Sequence, residues 1–296
     1  MRAGDFARAW AINDRDLVVA SLSPKHTGPR HLQRIWRGEP LAGKHVLVRC
    51  YHGLGDTIQF LRFMRPLRDV ACSVTLWCQS ELLSLTERAA GVDRSLALHD
   101  GTPDVEFEVD IEIMEVPHAL KVGREQIEMR APYLTLPPRR VPVSVDREGL
   151  AVGLVWEVGQ WDKRRAVPPE LLRHFAVRGV ALHSLQRDAT RESLLGIGAR
   201  DINTPDMATL GHLLRELDLV ICVDTMVAHL AGALGCEAWV LLHADCDWRW
   251  PSTGGRSFWY PSVRLFRQTT AGDWSVVIAE VSEALQQRVK SGQTVA

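Results

Sequence analysis

The stretch from Lys44 to Arg68 combines residue types that α/β proteins use to bind ligands. Gly53 and Gly55 predict a sharp turn at which a ligand can approach the backbone closely. Asp56 follows at the predicted start of a helix, where unpaired N–H groups favour an anionic group. Its carboxylate has two interpretations: an N-cap or first-turn residue, which is the ordinary role of Asp at this position, and a functional group at the turn.

Two common nucleotide-binding motifs are absent from this turn. The dinucleotide fingerprint needs a third glycine, and Ile58 occupies that position. A phosphate-binding P-loop needs Gly-Lys-Ser/Thr after its glycines, and none follows. The sequence therefore predicts neither an ordinary NAD site nor an ordinary ATP site here.

The second half of the chain repeats the pattern. An apolar strand predicted at 219–223 is followed by Asp224 and Thr225, which begin a predicted helix. The N-terminus of that helix offers free N–H groups and the positive end of a dipole, which suit a phosphate or diphosphate. His229 lies a little over one turn inside the helix, where a packed histidine is the ordinary interpretation and a functional one is the alternative.

Two loops of the second half are rich in charge. Lys163, Arg164 and Arg165 follow a predicted strand, and they either reach an anion or form a solvated loop. Asp245 and Asp247 form an Asp-x-Asp motif, which in some enzymes holds a divalent metal. We interpret the second of these as a carboxylate that orders its loop beside a Trp-Arg pair, and we predict no metal site.

The run E-F-E-V-D-I-E-I at 106–113 alternates strictly between acidic and apolar residues. This alternation predicts a strand with apolar side chains on one face and carboxylates on the other. A catalytic carboxylate cluster is one interpretation, but we favour a solvent-facing row of charges that discourages edge pairing. The four carboxylates are Glu106, Glu108, Asp110 and Glu112.

Strand and helix patterns alternate on both sides of a stiff connector at 131–149, which contains four prolines. We expect an α/β protein with two doubly wound parallel sheets that face a cleft, divided into domains 1–140 and 141–296. The last predicted helix has one apolar stripe. It packs either on its own domain or back toward the N-terminal domain. The stripe consists of Trp274, Val277, Ile278, Val281 and Leu285.

Composition limits the class of protein. With 296 residues, 46 % hydrophobic and 24 % charged, the chain is typical of a globular protein with a sizeable core. A net charge of -1 argues against nucleic acid as a partner. Residues 1–50 are basic, which suits an anionic acceptor, a peripheral membrane contact or, more ordinarily, a solvated face. The N-terminus lacks the apolar core of a signal peptide and the six cysteines form no Cys-x-x-Cys pair, so we expect a cytoplasmic protein with reduced thiols.

Four motifs occur in an order that resembles the family 9 glycosyltransferases, the lipopolysaccharide heptosyltransferase group. They are G-L-G-D-T-I-Q-F, V-D-T-M-V-A-H-L-A-G-A-L-G, D-W-R-W and W-Y-P-S-V-R-L-F-R-Q. The similarity spans about residues 40–285 and is greatest to the branch found behind tetratricopeptide repeats. It implies a GT-B architecture of two Rossmann-like domains, with the acceptor on the first and the nucleotide-sugar on the second.

The resemblance also implies roles for individual residues. Asp56 matches the family's catalytic base, and Lys163 matches its donor-phosphate lysine or that residue's neighbour. On the donor side we place Lys163, Arg165, Gln186, Asp224, Thr225, Met226 and His229. On the acceptor side and its loop we place His52, Gly53, Gly55 and Thr57. The chain departs from the family at Met226, where a small residue is usual, and at His52, where a glutamine-like residue is expected.

The resulting prediction is an inverting, metal-independent transfer of a heptose or hexose-like sugar to a glycan, glycolipid or protein hydroxyl. The nucleoside-diphosphate-sugar is a co-substrate, and no cofactor is expected. A nucleotide-sugar epimerase or hydrolase on the same fold is one alternative, and a non-catalytic nucleotide-sugar-binding protein is another.

Overall fold

The protein is described by a computed structural model over residues 1–22, 24–128, 131–138 and 145–293. The chain divides into two compact units, Met1–Pro137 and Pro138–Ala296. The domain boundary expected after residue 140, together with part of the proline-rich connector, lies at 139–144, outside the described residues. Each unit is built on one parallel sheet, so the α/β prediction is confirmed.

The sheet of the first unit has four strands in the order β3-β2-β1-β4. They are β1 (His45–Arg49), β2 (Ser73–Cys78), β3 (Arg94–Ala97) and β4 (Val109–Glu112). Every pair in this sheet is parallel. The carboxyl ends of β1, β2 and β4 therefore lie at one edge of the sheet, which is where open α/β sheets bind ligands.

The helices of the first unit are short, apart from the first helix, which has 15 residues. They are α1 (Phe6–Ala20), α2 (Leu54–Phe60), α3 (Met64–Val70), α4 (Leu83–Thr86), α5 (Val116–Ala119) and α6 (Arg124–Glu128). The single amphipathic helix predicted after Asp56 is instead α2 and α3 with a 3₁₀ turn, Leu61–Phe63, between them. Pro66 explains the break, because it has no N–H to donate to the carbonyl of Arg62.

The second unit has a six-stranded parallel sheet in the order β10-β9-β8-β5-β6-β7. Its strands are β5 (Leu150–Val155), β6 (Val180–Ser184), β7 (Arg200–Asp201), β8 (Leu219–Val223), β9 (Ala238–Leu242) and β10 (Val263–Arg267). Its helices are α7 (Arg191–Ile197), α8 (Met207–Glu216), α9 (Met226–Leu234) and α10 (Ser275–Gln293).

The apolar stripe predicted for the last helix is confirmed, because all five of its residues are buried in the core of the second unit. The segment Pro169–Phe175 of this unit is a 3₁₀ helix. Leu172 and Phe175 are its buried residues, and their spacing of three matches one turn of a 3₁₀ helix.

The prediction that the acidic run faces solvent is wrong for two of its four carboxylates. Glu106 and Glu108 are exposed, but Asp110 and Glu112 on β4 are only 5 % and 2 % exposed. Both faces of a parallel sheet are normally covered, so alternation along β4 does not separate core from solvent. Asp110 is stabilised by the guanidinium of Arg49, at 2.9 Å, whereas Glu112 accepts backbone N–H groups.

All six cysteines are free thiols, as expected, and Cys72 is exposed. Burial raises the pKa of Cys78 to about 11, so this thiol is protonated at neutral pH. Among the described residues, no helix combines the length and the apolar character needed to cross a bilayer.

Candidate functional site

Asp56 lies in the first turn of α2, directly after the turn that follows β1. Its Oδ2 accepts a hydrogen bond of 2.9 Å from the backbone N–H of Gly53, the N-cap residue. This contact is one half of a capping box, so the ordinary interpretation of Asp56 describes a real interaction. The residue is also half-exposed.

The turn before Asp56 is fixed from the neighbouring strand β2. Gln79, directly after β2, donates from Nε2 to the carbonyl of His52 at 2.6 Å. Its Oε1 accepts from the buried hydroxyl of Thr57 at 3.0 Å. One amide therefore holds the turn on one side and the first turn of α2 on the other. Thr57 therefore helps to position the turn through Gln79, a role that the residue type alone does not indicate.

Glu112 holds the same turn from the other neighbouring strand. Its Oε1 accepts from the backbone N–H of Tyr51 at 3.3 Å and its Oε2 from that of Met114 at 2.7 Å. His52 Nε2 lies 3.8 Å from Glu112 Oε2. Burial raises the pKa of Glu112 to about 8, and the negative charges of Glu115 and Asp56 act in the same direction.

In the second unit, Asp224 directly follows β8 and is buried. Burial raises the pKa of its carboxyl, whereas the positive charge of Arg165 acts in the opposite direction. Arg165 Nη1 donates to the backbone carbonyl of Asp224 at 2.9 Å and lies 3.6 Å from its Oδ2. These two predicted donor-side residues are therefore in contact.

The N-terminus of α9 adjoins this pair. Thr225 is the N-cap residue, but its side chain makes no capping hydrogen bond. Its hydroxyl oxygen is buried and has no hydrogen-bond partner within the described part of the chain. Met226 is the first residue of the helix and is half-buried. The positive end of the α9 dipole thus lies beside a buried hydroxyl that makes no hydrogen bond within the described residues.

The basic loop is a 3₁₀ turn, Lys163–Arg165, with Asp162 as its N-cap. Lys163 is exposed, and its Nζ lies 3.4 Å from the carbonyl of Val158. Arg164 instead binds the carboxylate of Asp162 through two nitrogens. The predicted charge run therefore separates into an exposed lysine, an internally paired arginine and Arg165 at Asp224.

Gln186 and His229 are packed inside the second unit. Gln186 Oε1 accepts from the backbone N–H groups of Trp156 at 3.1 Å and Glu157 at 2.9 Å. His229 is 5 % exposed, its Nδ1 lies 3.0 Å from the hydroxyl of Tyr260, and its ring stacks on Trp250. These contacts are those of residues that hold structure. A direct contact of either residue with a donor stays a prediction.

The loop from His243 to Trp250 is ordered internally. Asp247 Oδ1 accepts from the backbone N–H of Arg249 at 3.0 Å and from its guanidinium at 2.7 Å. The guanidinium also lies over the ring of Trp248. The prediction that Asp247 orders this loop beside Trp248 and Arg249 is confirmed. Within the described ranges, no group of three or more His, Cys, Asp or Glu side chains has an arrangement that suits a metal ion.

Sequence reasoning missed Gln79 and misassigned Glu112. Gln79 follows β2 and Glu112 ends β4, and both strands lie next to β1, so each side chain comes to the same sheet edge as Asp56. The sequence signal for both residues was therefore their position at the end of a strand, since polar residues at the ends of adjacent parallel strands lie close together. Strand order, which the sequence does not give, was needed to use it.

No family model matches the chain. Solved structures with a similar fold include a family 9 glycosyltransferase from Veillonella parvula, with 11 % identity and a TM-score of 0.54, covering 84 % of this chain and 90 % of that one. The heptosyltransferase TibC, solved with ADP-D-beta-D-heptose, has 13 % identity and a TM-score of 0.57, covering 87 % of this chain and 80 % of that one. E. coli ADP-heptose lipopolysaccharide heptosyltransferase II has 12 % identity and a TM-score of 0.54, covering 82 % and 99 %. The chain thus has a GT-B-like α/β fold with two parallel sheets.

One curated relative is more similar in sequence. Protein FlbA of Caulobacter vibrioides is 25 % identical over an alignment that covers 85 % of this chain and 48 % of FlbA. The chain therefore spans about half the length of that relative.

Proposed function

We propose that the chain is an inverting glycosyltransferase that moves a heptose or similar sugar from a nucleoside diphosphate to an acceptor hydroxyl. The observation that carries the proposal is the position of Asp56. Its half-exposed carboxylate stands at the first βα turn of a chain whose fold is that of heptosyltransferases. The acceptor would be a glycan, a glycolipid or a protein.

Inverting transfer needs a base on the acceptor hydroxyl, and Asp56 is suited to that role. A positioned carboxylate that takes the proton in the transition state contributes typically ~10²–10⁴-fold in rate. Its hydrogen bond from Gly53 uses Oδ2 and fixes the carboxylate against rotation. Capping and catalysis are therefore compatible functions of one side chain.

The departing nucleoside diphosphate needs positive charge, which we assign to the second unit. The N-terminus of α9, which begins directly after Thr225, would receive the diphosphate. Arg165 would keep its contact with Asp224 and present the rest of its guanidinium to phosphate. Lys163, which is exposed, would supply a mobile second charge.

A second candidate is a nucleotide-sugar-binding protein without transferase activity. Met226 favours it, because a long side chain at the first position of α9 occupies space beside the helix N-terminus. This candidate and the transferase both predict binding of nucleoside diphosphates. Only the transferase predicts turnover that depends on Asp56.

The deciding experiment compares Asp56→Asn with the wild type. Asparagine can still accept the N–H of Gly53, so the free energy of unfolding should change by less than about 1 kcal/mol. Turnover should fall by roughly 10²-fold or more, because the amide cannot take a proton. Binding of ADP, chosen because solved neighbours hold ADP-heptose, should persist in a thermal-shift assay.

The matched control is Asp69→Asn, which removes an exposed carboxylate on α3 that pairs only along the helix surface with Arg65 in the contacts described. It should retain wild-type turnover. If Asp56→Asn keeps turnover within about twofold of the wild type, Asp56 is a helix cap and the proposed base is incorrect.

A further inference from the structure

Glu112 is a buried carboxyl beside the proposed base, and the reaction outlined above does not use it. The residue ends β4, next to β1 in the sheet, and its two oxygens accept N–H groups from Tyr51 and Met114. One of these, Tyr51, begins the turn that leads to Asp56. The side chain therefore joins the end of β4 to the segment that carries the base.

The ionisable groups that surround Glu112 are two carboxyl groups, a histidine and a thiol. Asp56 and His52 face it from the turn and α2, Glu115 from the 3₁₀ turn after β4, and Cys50 from the end of β1. Among the described residues, no Lys or Arg side chain lies within ion-pair distance of Glu112. Glu115 is itself committed to the backbone N–H groups of Ile35, Trp36 and Glu112.

A buried carboxylate with no lysine or arginine beside it is costly, and a second carboxylate nearby increases the cost. The neutral acid avoids both the cost of burying a charge and the repulsion from the second carboxylate, and it keeps at least one oxygen as an acceptor for backbone N–H groups. With Glu112 neutral, Asp56 bears the negative charge at the turn without a like charge beside it.

We propose that Glu112 is a positioning residue that, as the neutral acid, holds the Tyr51–Gly53 turn and thereby fixes Asp56 for proton abstraction. This inference rests on the proposed transferase function for its effect on rate. Its structural part, the neutral buried acid that holds the turn, is testable without any turnover.

The first test measures the protonation state directly. In protein labelled with ¹³C at the Glu side-chain carboxyl, the resonance that is missing in Glu112→Gln belongs to Glu112. This resonance should titrate near pH 8 and remain that of a neutral acid at pH 6–7. A titration below about pH 5 would overturn the proposal, because Glu112 would then be an ordinary ionised carboxylate.

The second test measures the turn by hydrogen–deuterium exchange of peptides that cover residues 50–56. Glu112→Ala removes both acceptors and should increase exchange there. Glu112→Gln keeps one amide oxygen and should increase it less. The control is Glu108→Ala, an exposed carboxylate that precedes the same strand and pairs with Lys44. Equal exchange in Glu112→Ala and Glu108→Ala would overturn the positioning role.

The third test is the pH profile of turnover. Ionisation of Glu112 places a second negative charge beside Asp56 and so changes the proton affinity of the base, which predicts an inflection near pH 8 in the pH profile of wild-type kcat. Glu112→Gln cannot ionise and should lose that inflection, whereas Glu108→Gln should keep it. An unchanged profile in Glu112→Gln would contradict the catalytic part. If the wild type shows no turnover, the proposed function fails while the titration and the exchange still decide the structural part.

Discussion

At the scale of single residues, the side chains around the first βα turn and around the segment that follows β5 act through the backbone. Gln79 and Glu112 hold the turn that precedes Asp56, and Gln186 holds the segment that follows β5. In each case a side chain at the end of one strand satisfies N–H or C=O groups next to another strand. A buried backbone group without such a partner would cost free energy, so these contacts specify the turns as well as stabilise them.

Gln186→Leu tests this role at the second sheet. Leucine has a similar size but no acceptor, so the N–H groups of Trp156 and Glu157 lose their partner. We expect a loss of about 1–3 kcal/mol in the free energy of unfolding, measured in urea. Gln287→Leu, at an exposed position on α10, is the control and should change stability little. Equal stability of the two variants would show that Gln186 does not hold this segment.

The sequence predicted some of these residues but not their partners. An apolar run located each βα turn, with glycines marking the first turn and Asp224-Thr225 marking the second, because a buried strand and the start of a helix leave local signals. Glu112 was misassigned, since an alternating run predicts one solvent-facing side only when that face of the strand is uncovered. Gln79 carries no local signal, because its role depends on β2 and β1 being neighbours in the sheet.

At the scale of elements, α9 shows how packing fixes a helix whose N-terminus we assign to the donor. A Cβ added to Gly232 would overlap the ring of Tyr260, so the helix approaches that ring too closely for a side chain. The hydroxyl of Tyr260 in turn lies 3.0 Å from His229 on the same helix. Glycine, tyrosine and histidine thus define one contact that sets the position of α9.

Gly232→Ala should therefore destabilise the protein, although alanine is the better helix former. Overpacking of a buried contact costs about 1–3 kcal/mol, which exceeds the gain of up to ~1 kcal/mol in helix propensity. Gly196→Ala on α7 is the matched control, because nothing lies within 4 Å of the added Cβ. That variant should be slightly more stable than the wild type. Thermal unfolding midpoints that move in the same direction for both variants would contradict this account.

At the scale of the whole molecule, each unit presents the carboxyl edge of a parallel sheet with a different chemical character. The edge in the first unit carries Asp56, Glu112 and Glu115, whereas the edge in the second carries Arg165, paired with Asp224, beside the N-terminus of α9. Under the proposed function, the first edge would supply a base for the acceptor and the second would supply positive charge for the leaving diphosphate.

The division of charge also predicts how the protein responds to chelation. If Asp245 and Asp247 held a divalent cation against the donor, excess chelator should abolish turnover, and Asp247→Ala should fail to bind ADP. We expect neither result, because under the proposed function the α9 dipole, Lys163 and Arg165 would provide positive charge for the diphosphate. Asp247, moreover, is engaged by the backbone and guanidinium of Arg249. Turnover measured with excess EDTA should stay within about twofold of its value in buffer. A loss that Mg²⁺ or Mn²⁺ restores would contradict the metal-free mechanism and would place the Asp-x-Asp loop at the donor. The Asp247–Arg249 pair would then have to give way to near-octahedral oxygen coordination of the metal.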